Sequence, residues 1–245
     1  MPFTASMRTA LRVLSSVLIA AGVLLLVNAG LTLAWQEPVS ALYARITQDR
    51  LGGELEELEA VGPTTVEVAA LRAIPEAPKR LHYLARSLKR RTGEGEAAGR
   101  IRIPAIGVER VVVDGTEPAS LRQGPGFFPQ NPLPGSGGTT AIAGHRTTYS
   151  APFRRIDDLA KGDEIIVDMP YARLGYAVER TRIVEPTELS VLRRVSYDRL
   201  VLTACHPLYS AAQRIVVFAR LTATQPKGSG VVGGGAAVQR AAQRP

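Results

Sequence analysis

The 245-residue chain has one cysteine and three histidines. A single thiol cannot close a disulfide within the chain, and scattered histidines without a cysteine pair lack the spacings of a zinc site. No metal or other cofactor is implied. Aromatic residues make up 5% of the chain and no basic run is interleaved with them, which argues against nucleic-acid binding. The net charge of +8 is spread out: from Arg100 to Thr222 basic residues only mildly outnumber acidic ones, and the tail adds Lys227, Arg240 and Arg244. A weak attraction to anionic polymers or lipid headgroups accounts for that excess. No segment repeats another. The most consequential absence is charge itself, missing from Val13 to Gln36.

An uncharged stretch of this length crosses a bilayer as a helix. Arg8 and Arg12 precede it and Glu37 is the first charge after it, so the N-terminus is expected in the cytoplasm and the rest outside, with Trp35 at the outer interface. A cleaved signal peptide is the competing reading. Its apolar core usually runs only about 7–15 residues, and no convincing cleavage site is present, so an uncleaved single-pass anchor is favoured. Either reading exports Cys205. A lone thiol outside the cell is exposed to oxidation, although a free cysteine can also be a small buried hydrophobe.

Beyond the anchor, Pro38 to Ala60 has helical spacing, interrupted at Gly52-Gly53 and ended at Gly62-Pro63, and reads as a juxtamembrane stalk. Thr64 to Gly99 shows no stable period. Its basic residues from Lys79 to Arg91 read as a solvated linker face, His82 as a surface residue, and Gly93 to Glu96 as a flexible joint. From Gly99 the texture changes to seven or eight short strand candidates, with one helical turn near Ser120 and almost no other helix. That pattern predicts an all-β barrel or sandwich of about 120 residues. The glycine- and alanine-rich tail from Ala223 is expected to be disordered.

Two of those strands, Leu200 to Ala204 and Ile215 to Leu221, flank a turn-rich loop with Cys205 ending one and Arg214 starting the next. A thiol and a guanidinium thus share one end of a hairpin. A nucleophilic cysteine also needs a proton-transfer partner. His206 adjoins Cys205, yet adjacent side chains on a strand point to opposite faces. His145, at the end of the strand Thr139 to Gly144, is the better partner. Arg214 could stabilise an oxyanion and favour the thiolate.

Thr203-Ala204-Cys205 with Arg214 downstream, Gly144-His145 upstream and a single N-terminal anchor together resemble a sortase, a cysteine transpeptidase of Gram-positive surfaces. The run from Gly144 to Tyr149 with Cys205-His206-Pro207 is most similar to the actinobacterial class E group. Ala204 departs from the threonine common before the cysteine. The resemblance implies a sortase-like eight-stranded β-barrel with short helices, preceded by a transmembrane helix and linker. The expected organisation is a cytoplasmic tail over 1–12, an anchor over 13–35, a stalk or linker over 36–98, the catalytic barrel over 99–222 and the tail over 223–245. Cys205, His145 and Arg214 occupy the family's catalytic positions, and Tyr149 and Thr203 are candidates for substrate contact. The implied reaction cleaves the Thr–Gly bond of a C-terminal sorting signal, of the Leu-Ala-x-Thr-Gly or Leu-Pro-x-Thr-Gly kind, through a thioester. The acyl product passes to an amine of a peptidoglycan precursor or a pilin. Some members bind calcium, but Asp157, Asp158 and Glu188 read as a solvated face.

Two other classes stay open at this point. One is another exported cysteine hydrolase or an L,D-transpeptidase, although its Ser-x-Gly-Cys context is absent; the other is a non-catalytic domain that binds wall polymers.

Overall fold

The computed structural model describes residues 5–34 and 38–227. Trp35 and the tail from 228 to 245 lie outside the described residues. The chain divides into two units, Met1–Leu42 and Tyr43–Pro245. In the first, helix α1 (Ala5–Ala34) contains a window, Thr9–Gly30, long and apolar enough to cross a membrane. Its apolar side chains from Leu11 to Val27 are exposed, as a lipid-facing helix requires.

The second unit is built on a closed barrel. After α2 (Pro38–Val61), α3 (Thr65–Ala73) and α4 (Ala77–Arg91) come β1 (Ala97–Ile103), β2 (Val108–Asp114), α5 (Pro118–Gln123), β3 (Gly126–Phe127), β4 (Thr139–Ala143), β5 (Glu164–Met169), β6 (Ala172–Val184), β7 (Arg199–His206) and β8 (Gln213–Pro226). The strands close in the order β1-β2-β3-β4-β7-β8-β6-β5. Pairs β2–β3 and β4–β7 are parallel and the other pairs antiparallel. Alternate residues fill the interior, among them Ile101, Ile142, Val167, Leu174, Leu202 and Val217, each fully buried. Asp168 gathers Arg102, Arg173 and Lys227 at the β1–β5–β6 seam, with nitrogen–oxygen distances of 2.6, 2.7 and 3.1 Å.

The segment expected to be a linker is instead helical and packed. Leu81, Leu84, Ala85 and Leu88 recur at helical spacing on α4 and join the barrel core with Leu71 of α3. Of the basic residues read as a solvated patch, Lys79, Arg86, Arg90 and Arg91 are exposed on the outer face of that amphipathic helix, whereas Arg80 is buried and donates to Ile74 O and Pro75 O. A capping box between Thr64 and Glu67 starts α3, and Thr92 and Lys89 tie the end of α4 to Asp114. Gly52-Gly53 does not interrupt α2. Leu51 and Leu55 pack against Ala97, Val111 and Val113, and Gln48 bonds Val111 through both N–H and C=O. Those contacts outweigh a glycine cost of about 1 kcal/mol per residue. Gly93 to Glu96 forms a bonded turn, not a loose joint: Glu94 accepts from Glu117 N–H at 3.0 Å and Ser120 Oγ at 2.5 Å. The last strand runs four residues past Thr222, because Ala172–Gly175 of β6 offer it partners as far as Pro226.

Candidate active site

Strand alternation sorts β7 into two sets. Leu200, Leu202 and Ala204 enter the barrel core, whereas Val201, Thr203 and Cys205 lie on the outer face. On β8, Arg214 is the cross-strand partner of Cys205 and Val216 that of Thr203. Directly opposed residues share a face, so sulfur and guanidinium issue side by side. On the other flank, β4 runs parallel to β7 with Ala143 beside Thr203. Gly144 N–H still donates to Thr203 O at 3.0 Å, which carries the register on and brings His145 level with Cys205. Neighbouring strands are about 4.8 Å apart. Cys205 and Arg214 thus pair across β7 and β8 at the end of the sheet, and His145, two residues past β4, follows on in line with them.

Beyond the row the outer face becomes an apolar floor. Its base is a buried cluster of Ala141, Val184, Val191, Val201, Val216 and Phe218, and the half-buried Phe128 and Leu192 packed against it are its partly exposed apolar surface. Val191 and Leu192 belong to the 3-10 turn Leu189–Leu192, which walls the floor on one side. Thr203 sits between Ala143 and Val216, one row from the thiol and half-buried. An apolar trough with a polar row at one end suits an extended peptide whose reacting bond lies over that row.

His145 is half-buried, its Nδ1 lies 3.3 Å from Thr148 Oγ1, and its Nε2 is buried with no hydrogen-bond partner. Burial lowers its pKa from the ordinary value, and the positive charge of Arg122 on α5 lowers it further. The neutral imidazole is thus favoured at neutral pH. Tyr149 packs against the imidazole in a tilted arrangement, ring centroids 5.0 Å and planes 51° apart, and the Arg122 guanidinium lies 5.8 Å from the Tyr149 centroid. Tyr149, Ser150 and Ala151 all have positive φ. This strained turn is pinned by Phe153 N–H donating to His145 O at 3.1 Å. Gly144 admits that loop, since a Cβ there would lie 2.5 Å from the Phe153 ring.

Arg214 is half-exposed and donates from Nη1 to Ala211 O and Gln213 O, each at 3.0 Å. Its other donors meet no partner among the described residues. His206 points to the opposite face, as expected of a residue adjacent to Cys205, and accepts from Arg146 Nη1 at 2.9 Å. Arg146 is the residue that sequence reasoning missed. It is 2% exposed, contacts Cys205 O at 3.5 Å and Arg154 O at 3.4 Å, and pairs with Asp157 at 2.6 Å. It thereby laces the chain after His145 to the chain at Cys205 from behind the row. Its position directly after His145 was the available signal. Arg122, distant in sequence, gave none. Asp157, read as a solvated acid, is half-exposed and engaged in that pair. Among the described residues no three His, Cys, Asp or Glu side chains cluster as a metal site.

Residues 101–222 match the family model described as the sortase domain. This domain belongs to the sortase family. Among curated relatives, the sortase domain is similar to sortase D of Bacillus subtilis, with 30% identity over 130 residues, covering 51% of this chain and 64% of that protein. It is also similar to sortase SrtE1 of Streptomyces coelicolor, with 28% identity over 102 residues, 38% of this chain and 29% of that protein. The match thus spans less than two thirds of either relative. Among solved structures, the SrtF sortase of Corynebacterium diphtheriae has a TM-score of 0.53 at 27% identity, covering 56% of this chain and 90% of that one. A sortase E of Streptomyces avermitilis has 0.50 at 29%, covering 60% and 99%. The closed eight-stranded barrel is the sortase fold.

Proposed function

We propose that this sortase domain is a cysteine transpeptidase with Cys205 as nucleophile, His145 as proton carrier and Arg214 as oxyanion partner. The observation that carries the reading is the pairing of Cys205 with Arg214 on β7 and β8, beside the chain that leads from β4 into His145. Cys205 Sγ attacks the threonine carbonyl of a Thr–Gly bond while its proton passes to neutral His145. The carbonyl electron pair becomes an oxyanion that the free donors of Arg214 face. When the carbonyl re-forms, the C–N bond breaks and His145 gives the proton to the departing glycine amine. A thioester remains. An acceptor amine then attacks it, and its proton returns through His145 to the cysteine thiolate.

The substrates in this reading are C-terminal sorting signals of surface proteins, of the Leu-Ala-x-Thr-Gly kind if the chain follows class E. The acceptor is an amine of a peptidoglycan precursor or a pilin. Helix α1 is compatible with a membrane anchor, and we assign it a single pass with the barrel outside. In this reading Tyr149, whose ring packs against the imidazole, and Thr203, one row from the thiol, contact the peptide.

The test is to incubate the full chain in detergent with a Leu-Ala-x-Thr-Gly peptide and a primary amine, and to follow Cys205 by mass spectrometry. An acyl adduct on Cys205 and a peptide joined to the amine after threonine are expected. An intact peptide with Cys205 unmodified, for both the alanine and the proline form of the signal, sinks the proposal.

A further inference from the structure

At the far end of the trough from the thiol, the turn Leu189–Leu192 has a second face. Together with α4 and the loop after β3 it encloses a cavity of about 820 Å³. His82, Arg86, Lys89, Arg193 and Arg194 line this cavity, and no aspartate or glutamate does. Lys89 is committed to Asp114. Glu188, held by Ser190, acts on Arg193 from outside the lining. Among the described residues no carboxylate lies within ion-pairing distance of Arg86, Arg193 or Arg194, all three of which are exposed. Three guanidinium groups without an ion-pair partner, of which only Arg193 feels Glu188, repel each other around one concavity, and an anion relieves that repulsion.

The wall that presents two of them is rigid. Arg199 donates to Val191 O at 3.1 Å and Arg193 O at 2.7 Å, Thr139 Oγ1 donates to Arg193 O at 2.7 Å, and Asn131 donates to Leu192 O at 3.1 Å. The backbone of the turn is therefore fixed before any ligand arrives.

Geometry says which anion. Thr139, also in the cavity lining, stands six positions before His145 on the same line of chain. Six strand residues span about 20 Å. Half-buried Thr203, Phe128 and Leu192 lie on that side of the catalytic row and Leu192 also lines the cavity, so the acyl part of a peptide held at Cys205 is directed over them toward the cavity. An extended peptide advances about 3.3–3.6 Å per residue and reaches the cavity roughly six residues before the cleaved bond. A small free anion would not need this alignment with the trough; a peptide side chain does.

We propose that this cavity is a subsite for aspartate and glutamate side chains placed about five to eight residues upstream of the scissile bond, so that the sortase domain selects sorting signals preceded by an acidic stretch. This rests on the transpeptidase reading above. The test compares three peptides with the same sorting signal, carrying two aspartates, two serines or two lysines at those upstream positions, cleaved by the full chain in detergent. The aspartate peptide is expected to have a KM about fivefold below that of the serine peptide, the size that two partly exposed ion pairs supply. Its advantage should shrink as salt is raised. The triple variant Arg86→Glu, Arg193→Glu, Arg194→Glu should cut the serine peptide as the unaltered chain does and prefer the lysine peptide. Equal KM values for all three peptides in the unaltered chain overturn the subsite while leaving the transpeptidase intact. So does an aspartate preference that survives in the triple variant. Failure to cleave any of the three overturns the transpeptidase reading itself.

Discussion

The two faces of strands β7 and β8 carry the same backbone and opposite tasks. Leu200, Leu202, Ala204, Ile215, Val217 and Ala219 enter the barrel, while Val201, Thr203, Cys205, Arg214, Val216 and Phe218 face the trough. The inner set is uniformly apolar and buried, and it fixes the register, because a one-residue slip would expose it. The outer set inherits that register. Cys205 meets Arg214 because Leu202 and Val217 have no other way to be buried. The inner face can thus be altered at a cost in stability, and the outer face at a cost in chemistry.

The sharpest break of this contrast is Cys205→Ala. It removes a half-buried sulfur from the outer face, so cleavage and the acyl adduct should vanish while the melting temperature stays within a few degrees. Turnover equal to that of the unaltered chain would refute the assignment. Arg214→Ala should lower kcat by about 10²–10³, as loss of an oxyanion donor does, again with little change in melting. A matching loss of stability would move Arg214 from the chemistry to the scaffold. On the inner face Leu202→Ala should cost about 2–5 kcal/mol in denaturant unfolding, with activity per folded molecule nearly unchanged. A collapse of kcat in folded protein would show that the two faces are not separable.

The smallest expected effect sharpens the comparison at its edge. Burial and Arg122 both hold the His145 pKa below its ordinary value. As pH falls through about 6.5, the unfolded chain takes up the proton first, so the native state loses stability until the folded value is also passed. Arg122→Ala removes one positive charge, and the His145 midpoint followed by NMR should move up toward the ordinary value, though not reach it because burial remains. A midpoint that does not move would leave burial as the sole cause.

Local patterns made part of this site legible. Cys205 and Arg214 sit in one hairpin, so alternation and a short loop sufficed to pair them. His145 was identifiable as the histidine at a strand end and not adjacent to the cysteine; its placement depends on parallel pairing of β4 with β7, about 60 positions away in sequence. Tyr149 was expected near substrate, and nothing local foretold that its ring covers the imidazole. Helix α4 escaped because its leucines are interleaved with arginines and lysines, and the charges were weighed before the spacing. The two-residue β3 is too short to show a period. Arg122 belongs to no pattern at all, and Arg146 was marked only by standing next to His145, since each acts on residues brought near only by folding.

By itself the sequence determined an apolar helix able to span a membrane, a β-rich second half and one thiol beside one guanidinium, because those follow from composition, alternation and a short loop. Only the tertiary structure decided that the chain entering His145 runs beside that of Cys205, that a helix taken for linker packs into the barrel core, and that Leu192 borders both the cationic cavity and the outer apolar cluster. The physical reason is distance along the chain. Contacts between neighbours are written in local spacing, whereas contacts between remote strands arise only when a common core makes all of them register at once.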